Sequence, residues 1–128
     1  MTLEMDHLLV RSDARGVVFE PLETEMIAAQ RNAHVVISQP GAVRGNHYHI
    51  QGTEIIAVVG PALVRTKDDG KLHDIAVPDK EIYRFTFPPK VPHAIKNIGD
   101  QPNVLVAFNS CEHDPENPDT VQDILIES

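Results

Sequence analysis

Ten prolines punctuate the 128 residues, at Pro21, Pro40, Pro61, Pro78, Pro88, Pro89, Pro92, Pro102, Pro115 and Pro118, and they leave little room for long helices. A proline inside a helix removes a backbone hydrogen bond and collides with the preceding turn. Between the prolines lie short apolar stretches rich in Val, Ile and Phe, which read as strands: Leu8–Val10, Val17–Glu20, His34–Ser38, Val43–His49, Glu54–Val59, Ala62–Lys67, His73–Val77, Ile82–Phe87, His93–Asn97 and Val104–Asn109. Asp68-Asp69-Gly70 signals a hairpin, and Gly99-Asp100-Gln101-Pro102 separates two more strands. Only Thr24–Arg31 and Thr120–Glu127 suit short helices, and the second suits a strand equally. With no repeat and no linker, residues 1–128 are expected to form one all-β domain, a barrel or a sandwich.

Charge narrows the function. Eleven Lys and Arg against 19 Asp and Glu give a formal net charge of −8, with no basic cluster, which argues against nucleic-acid or anionic-membrane partners. An apolar share of 41% is ample for one core. The longest apolar run, Ile55–Val59, is far below membrane-spanning length. Met1–Val10 contains Glu4, Asp6 and His7 instead of a basic segment followed by an apolar one, so neither a signal peptide nor a membrane helix is expected. Cys111 is the only cysteine, which excludes an internal disulfide and fits a reducing, cytoplasmic location. Its surroundings, with Asp114, Pro115 and Pro118, read as a loop holding an ordinary half-buried thiol.

Chemistry is concentrated in the histidines. His47 and His49 alternate within one strand, so both side chains leave the same face of a sheet, roughly 6.6 Å apart along the chain. Gly52 permits a turn after them, and Glu54 opens the next strand, where a hairpin would bring its carboxylate to the pair. His93, after Pro88, Pro89 and Pro92, supplies a third imidazole if the barrel closes. Three imidazoles and a carboxylate suit a divalent transition metal such as Fe, Mn, Ni, Cu or Zn, with positions left for water or substrate.

The pattern Gly41-x5-His47-x-His49-x4-Glu54-x5-Gly60, followed by Pro88-x-Lys90-x2-His93-x3-Asn97, resembles the two motifs of the cupin superfamily. The resemblance implies a double-stranded β-helix, or jelly-roll barrel, with the first motif over 41–60, the second over 88–97, and His47, His49, Glu54 and His93 as metal ligands. Two departures stand out: the first motif is one residue short before Gly60, and Lys90 replaces the usual Gly, so a differently shaped turn is expected there. A narrower similarity runs through Asp13-Ala14-Arg15-Gly16-Val17-Val18-Phe19-Glu20, Val43-Arg44-Gly45-Asn46-His47-Tyr48-His49, Pro92-His93-Ala94-Ile95-Lys96-Asn97-Ile98-Gly99 and Pro118-Asp119-Thr120. These segments resemble the cupin domain of capsular-sugar epimerase/reductases and the small sugar-nucleotide ketoisomerases and 3,5-epimerases. The similarity implies a commonly dimeric enzyme that moves protons beside the 4-keto group of a nucleotide-linked hexose.

His47, His49 and Tyr83 are accordingly expected to be catalytic, with Arg44, Asn46 and Lys67 expected at the substrate; Arg65 and Lys90 add to the positive charge available to a nucleotide. Arg15 reads as half of a local ion pair with Asp13, Asn97 as support for the His93 loop, and His7, His34, His73 and His113 as surface or hydrogen-bonded residues. The apolar Leu8, Leu9, Val10, Val17, Val18 and Phe19 suit residues 1–30 to a homodimer interface. An Fe(II)-dependent dioxygenase and a non-catalytic binding cupin use the same ligand set and stand as alternative functions.

Overall fold

The computed structural model describes residues 3–128. In chain order its elements are β1 (Glu4–His7), β2 (Arg11–Asp13), β3 (Gly16–Val18), α1 (Thr24–Ile27), β4 (Asn32–Ser38), β5 (Val43–His49), β6 (Glu54–Val59), β7 (Ala62–Asp68), β8 (Lys71–Val77), β9 (Ile82–Phe87), β10 (His93–Asn97), β11 (Asn103–Asn109) and β12 (Thr120–Gln122). One antiparallel sheet has the order β1-β9-β6-β11-β4, the other β12-β5-β10-β7-β8. Residues from both sheets share one core: Ile56, Val58, Phe85, Phe87, Leu105 and Ala107 meet Ala62, Val64, Val77 and Ile95. This is the jelly-roll barrel implied by the two motifs. None of the described helices is long and apolar enough to cross a membrane.

Local chemistry explains the turns. Asp69 and Gly70 have φ of 51° and 76° between Asp68 and its partner Lys71, the two-residue geometry that matches the strand twist. Lys90 takes φ 67°, so the turn before His93 keeps a left-handed residue even without glycine. The amide of Lys90 donates to the His49 carbonyl at 2.7 Å, tying the second motif to the first.

The structure revises several sequence expectations. Leu8–Val10 is not a strand; β1 lies just before it and β2 just after it. All four side chains of edge strand β1 are exposed, so no buried face marks its register in the sequence. Helix α1 is a single turn without a side-chain cap or buried residue, half the expected length, and 120–127 begins with a three-residue strand. Consecutive strands β5 and β6 lie in different sheets, so Glu54 does not reach the histidines through a hairpin. The crossover brings it to them from the opposite sheet.

A bulge aims the first motif. Pairing runs His93↔His47 but Ala94↔Gly45, leaving Asn46 extra on β5. Gly45 has φ 90°, and a Cβ there would lie 2.7 Å from the His93 carbonyl oxygen. Glycine is therefore required by both conformation and space. Gly45→Ala should destabilise the protein by about 1–3 kcal/mol in urea unfolding; an unchanged midpoint would show that the bulge is not under this constraint.

Candidate metal centre

Two rows of side chains face each other at one end of the barrel. On the first sheet, Glu54 has Phe87 and Asn109 as cross-strand partners; on the second, His93 has His47 and Thr66. His49 lies two residues beyond His47, held to β12 through Thr120. The result is one ligand atom each from His47, His49, Glu54 and His93, all within 4.8 Å of one another. Glu54 Oε1 lies 2.7 Å from His93 Nε2, 3.3 Å from His49 Nε2 and 3.8 Å from His47 Nε2.

Packing fixes the rings. The His93 ring is stacked on Phe87 at 4.0 Å between centroids, and Phe87 is stacked on Phe85, so the hydrophobic core buttresses this imidazole. His93 Nδ1 donates to the Val91 carbonyl at 3.0 Å. A neutral ring bonded this way turns an Nε2 lone pair toward the carboxylate, and two acceptors 2.7 Å apart need a proton or a cation between them. Thr66 Oγ1, donating to the Pro92 carbonyl at 2.8 Å, steadies the same loop.

Burial would push the Glu54 carboxyl up, but its contacts with His47, His49 and His93, with the charge of His93 added, hold it well below the usual carboxylate range. Nε2 of His47 and of His49 are buried without hydrogen-bond partners among the described residues. Buried orphan nitrogens normally carry a desolvation cost, and here they converge with a carboxylate on one point. The donor set and its unmet valences therefore fit a divalent transition metal.

The centre opens into a cavity of about 370 Å³, lined also by Asn32, His34, Asn109, Cys111, Glu112, His113 and Asp119. Exposure of the side chains rises from His93 (1%) through His49 (11%) to His47 (29%), so His47 is nearest to solvent. Asp119 is held by the amides of Gln51 and Gly52 and points Oδ2 at His49 Nδ1, 3.7 Å away. No Lys or Arg lines the cavity among the described residues.

Several expected site residues lie elsewhere. Tyr83 pairs with Val58, four positions along β6 from Glu54, packs on the core and meets the His7 ring at a tilt, 5.0 Å between centroids. It is not at the site. Asn46 closes on the C-terminal segment: its amide nitrogen donates to the Ile126 carbonyl at 2.9 Å, and its oxygen accepts from the amides of Leu125 and Ile126. Arg44 is exposed, outside the cavity wall, with Nε 3.4 Å from Ser38 Oγ. Lys67 follows inward-facing Thr66 and so leaves the opposite face of the sheet. Arg65 is bound to Asp74 and the Leu125 carbonyl. Arg15 chelates Asp13 as expected, whereas Asn97 pins the turn that follows it, through Gly99 and Gln101, and not the His93 loop.

Asn109, Asp119 and the cavity positions of His34 and His113 were not apparent from residue type. Strand alternation carries the signal for Asn109, since it faces Glu54 in register. For Asp119, only its place in the Pro118-Asp119-Thr120 segment pointed to it.

A jelly-roll barrel with three imidazoles and a carboxylate converging at one end defines a cupin. Residues 11–121 match the polysaccharide biosynthesis C-terminal domain family, and the chain belongs to it. It is 30% identical over 114 residues to the UDP-2-acetamido-2,6-beta-L-arabino-hexul-4-ose reductase of Pseudomonas aeruginosa, covering 87% of this chain but only 30% of that one. It is 25% identical to the probable low-salt glycan biosynthesis epimerase Agl13 of Haloferax volcanii, over 91% of this chain and 83% of the relative. Among solved structures, ChmJ, a 3'-monoepimerase from Streptomyces bikiniensis in complex with dTDP-quinovose, superposes with a TM-score of 0.76 at 17% identity, covering 94% of this chain and 68% of that one.

Because the folded carboxyl of Glu54 titrates below its unfolded value near 4.3, its ionised form stabilises the fold fully above that range. The contribution disappears as pH falls toward the folded value. The urea midpoint of metal-free protein should therefore drop relative to Glu54→Gln between about pH 5 and 3. A constant difference across that window would contradict the assignment.

Proposed function

We propose that this protein is a metal-dependent epimerase or ketoisomerase that moves protons beside the 4-keto group of a nucleotide-linked hexose in polysaccharide or deoxysugar synthesis. The observation that carries this reading is the convergence of His47, His49, Glu54 and His93 at the floor of an open cavity. Membership in a polysaccharide biosynthesis family, the glycan epimerase relative and the dTDP-sugar complex of the structural neighbour support the substrate class.

Chemistry at such a substrate starts with removal of the acidic C–H next to a ketone. His47, His49, Glu54 and His93 would hold a divalent ion, zinc, iron, manganese or nickel. Such an ion would supply Lewis-acid stabilisation of charge developing on the ketone oxygen. With those imidazoles committed, the cavity wall still offers His34. Its Nδ1 lies 3.1 Å from Asn32 Oδ1, an acceptor, so the neutral ring presents an Nε2 lone pair able to take a proton. Asn32 thereby sets the tautomer of the base.

Homodimer formation belongs to the same proposal. The β2–β3 ribbon forms a separate sheet, with Val17 and Val18 more than half exposed. Among the described residues strand β4 leaves one edge of its sheet unpaired, and it exposes Val35 and Ile37 next to cavity residues Asn32 and His34. Apolar strand edges of this kind are normally covered. The N-terminal arm of a second copy is the proposed cover, and light scattering should give twice the chain mass; a monomer across micromolar concentrations would reject the dimer.

The catalytic reading is tested in heavy water with a UDP- or dTDP-linked 4-keto-6-deoxyhexose. Metal-loaded protein should wash deuterium into the carbon beside the ketone. His47→Ala and Glu54→Ala should lose both metal and exchange, whereas His34→Ala should keep the metal and lose exchange by about 10²-fold or more. Absence of exchange with any such sugar, together with dioxygen consumption by iron-loaded protein, would favour the dioxygenase reading instead.

A further inference from the structure

His49 sits between two groups that ask opposite things of its ring. Asn109, buried and at the end of β11, has its amide oxygen committed to the Cys111 amide at 2.8 Å. That bond fixes the flip of the side chain and leaves the Asn109 NH2 facing His49 Nδ1 at 3.3 Å. A donor there requires a lone pair on Nδ1, which puts the proton of a neutral ring on Nε2, the atom aimed at the centre. Asp119 Oδ2, on the same side at 3.7 Å, would accept a proton from Nδ1 and so favours the opposite tautomer. Of the two contacts at Nδ1 the shorter is the amide's, and Glu54 Oε1, 3.3 Å from Nε2, favours the same Nε2–H tautomer. His93 has no such conflict, because its Nδ1 donates to the Val91 carbonyl.

We propose that Asn109 is a positioning residue that holds His49 in the Nε2–H tautomer, and thereby makes His49 a weaker ligand of the centre than His93. Metal binding then requires the proton to move to the Nδ1 side, toward Asp119, at the expense of the Asn109 contact. Most metal-binding histidines donate their second ring N–H to a carboxylate or carbonyl, and replacing such outer partners commonly changes affinity 10–100-fold. Here the native partner opposes binding, so its removal tightens the site. The metal part of this inference rests on the metal-centre reading; the tautomer part does not.

The test uses full-length protein with 15N-labelled histidine, stripped of metal. Long-range proton–nitrogen correlation at neutral pH should show His49 protonated on Nε2, and Asn109→Asp and Asn109→Ala should each move the proton to Nδ1. His49 already protonated on Nδ1 in the unaltered protein, or the same tautomer in all three proteins, would overturn the proposal. In competition against a chromophoric chelator, both variants should bind zinc at least ~10-fold more tightly. Tightening in Asn109→Asp alone would assign the effect to added negative charge and overturn the mechanism. If unaltered protein and variants all bind no metal, the metal-centre reading fails along with the affinity claim, while the spectra still decide whether Asn109 sets the tautomer.

Discussion

Glu54 is a carboxylate placed where a carboxylate alone would be unstable. It is 4% exposed and set in a strand whose other residues are mostly apolar and buried. An ionised group in such a place needs compensation from close partners. The three imidazoles provide it, and they come from the other sheet, so the centre bridges the two halves of the barrel. This interaction joins the fold to the chemistry. The Phe85–Phe87–His93 stack runs from the core into the centre, and the bulge at Asn46 follows the glycine that lets β5 pass close to β10.

Recognition of the barrel depended on features that are local in sequence. Proline spacing, alternating Val and Ile, and the Asp69-Gly70 turn encode short strands without reference to distant residues. The four donors were legible for a related reason: His47, His49 and Glu54 lie within eight positions, and His93 follows a distinctive proline-rich turn. What the sequence did not reveal is sheet assignment. A short connection between β5 and β6 suits a hairpin as well as a crossover, and only the packing of the whole core decides between them.

Substrate-side residues were least legible. The side chains of Arg44, Asn46 and Lys67 have chemistry that suits phosphate or sugar hydroxyls, but residue type does not specify direction. Asn46 occupies a bulge at φ 57°, and its polar atoms are taken up by the backbone near Ile126. Tyr83 is on the correct strand but at the wrong end of it. Conversely, His34, Asn109 and Asp119 reach the cavity through register and loop geometry that no short motif records. Among the described residues the wall contains Glu112, Asp114 and Asp119 without a lysine or arginine. The diphosphate of the proposed nucleotide-sugar substrate would need positive charge from beyond this wall, which the proposed second copy would have to supply.

The central claim is that four side chains from opposite sheets share one ion, and anomalous diffraction from a crystal of zinc-loaded protein at the zinc absorption edge tests it most directly. The account predicts a single strong anomalous peak with His47, His49, Glu54 and His93 donor atoms all at about 2.0–2.2 Å. A peak bound by only one or two of these residues, or located elsewhere on the protein, would contradict it.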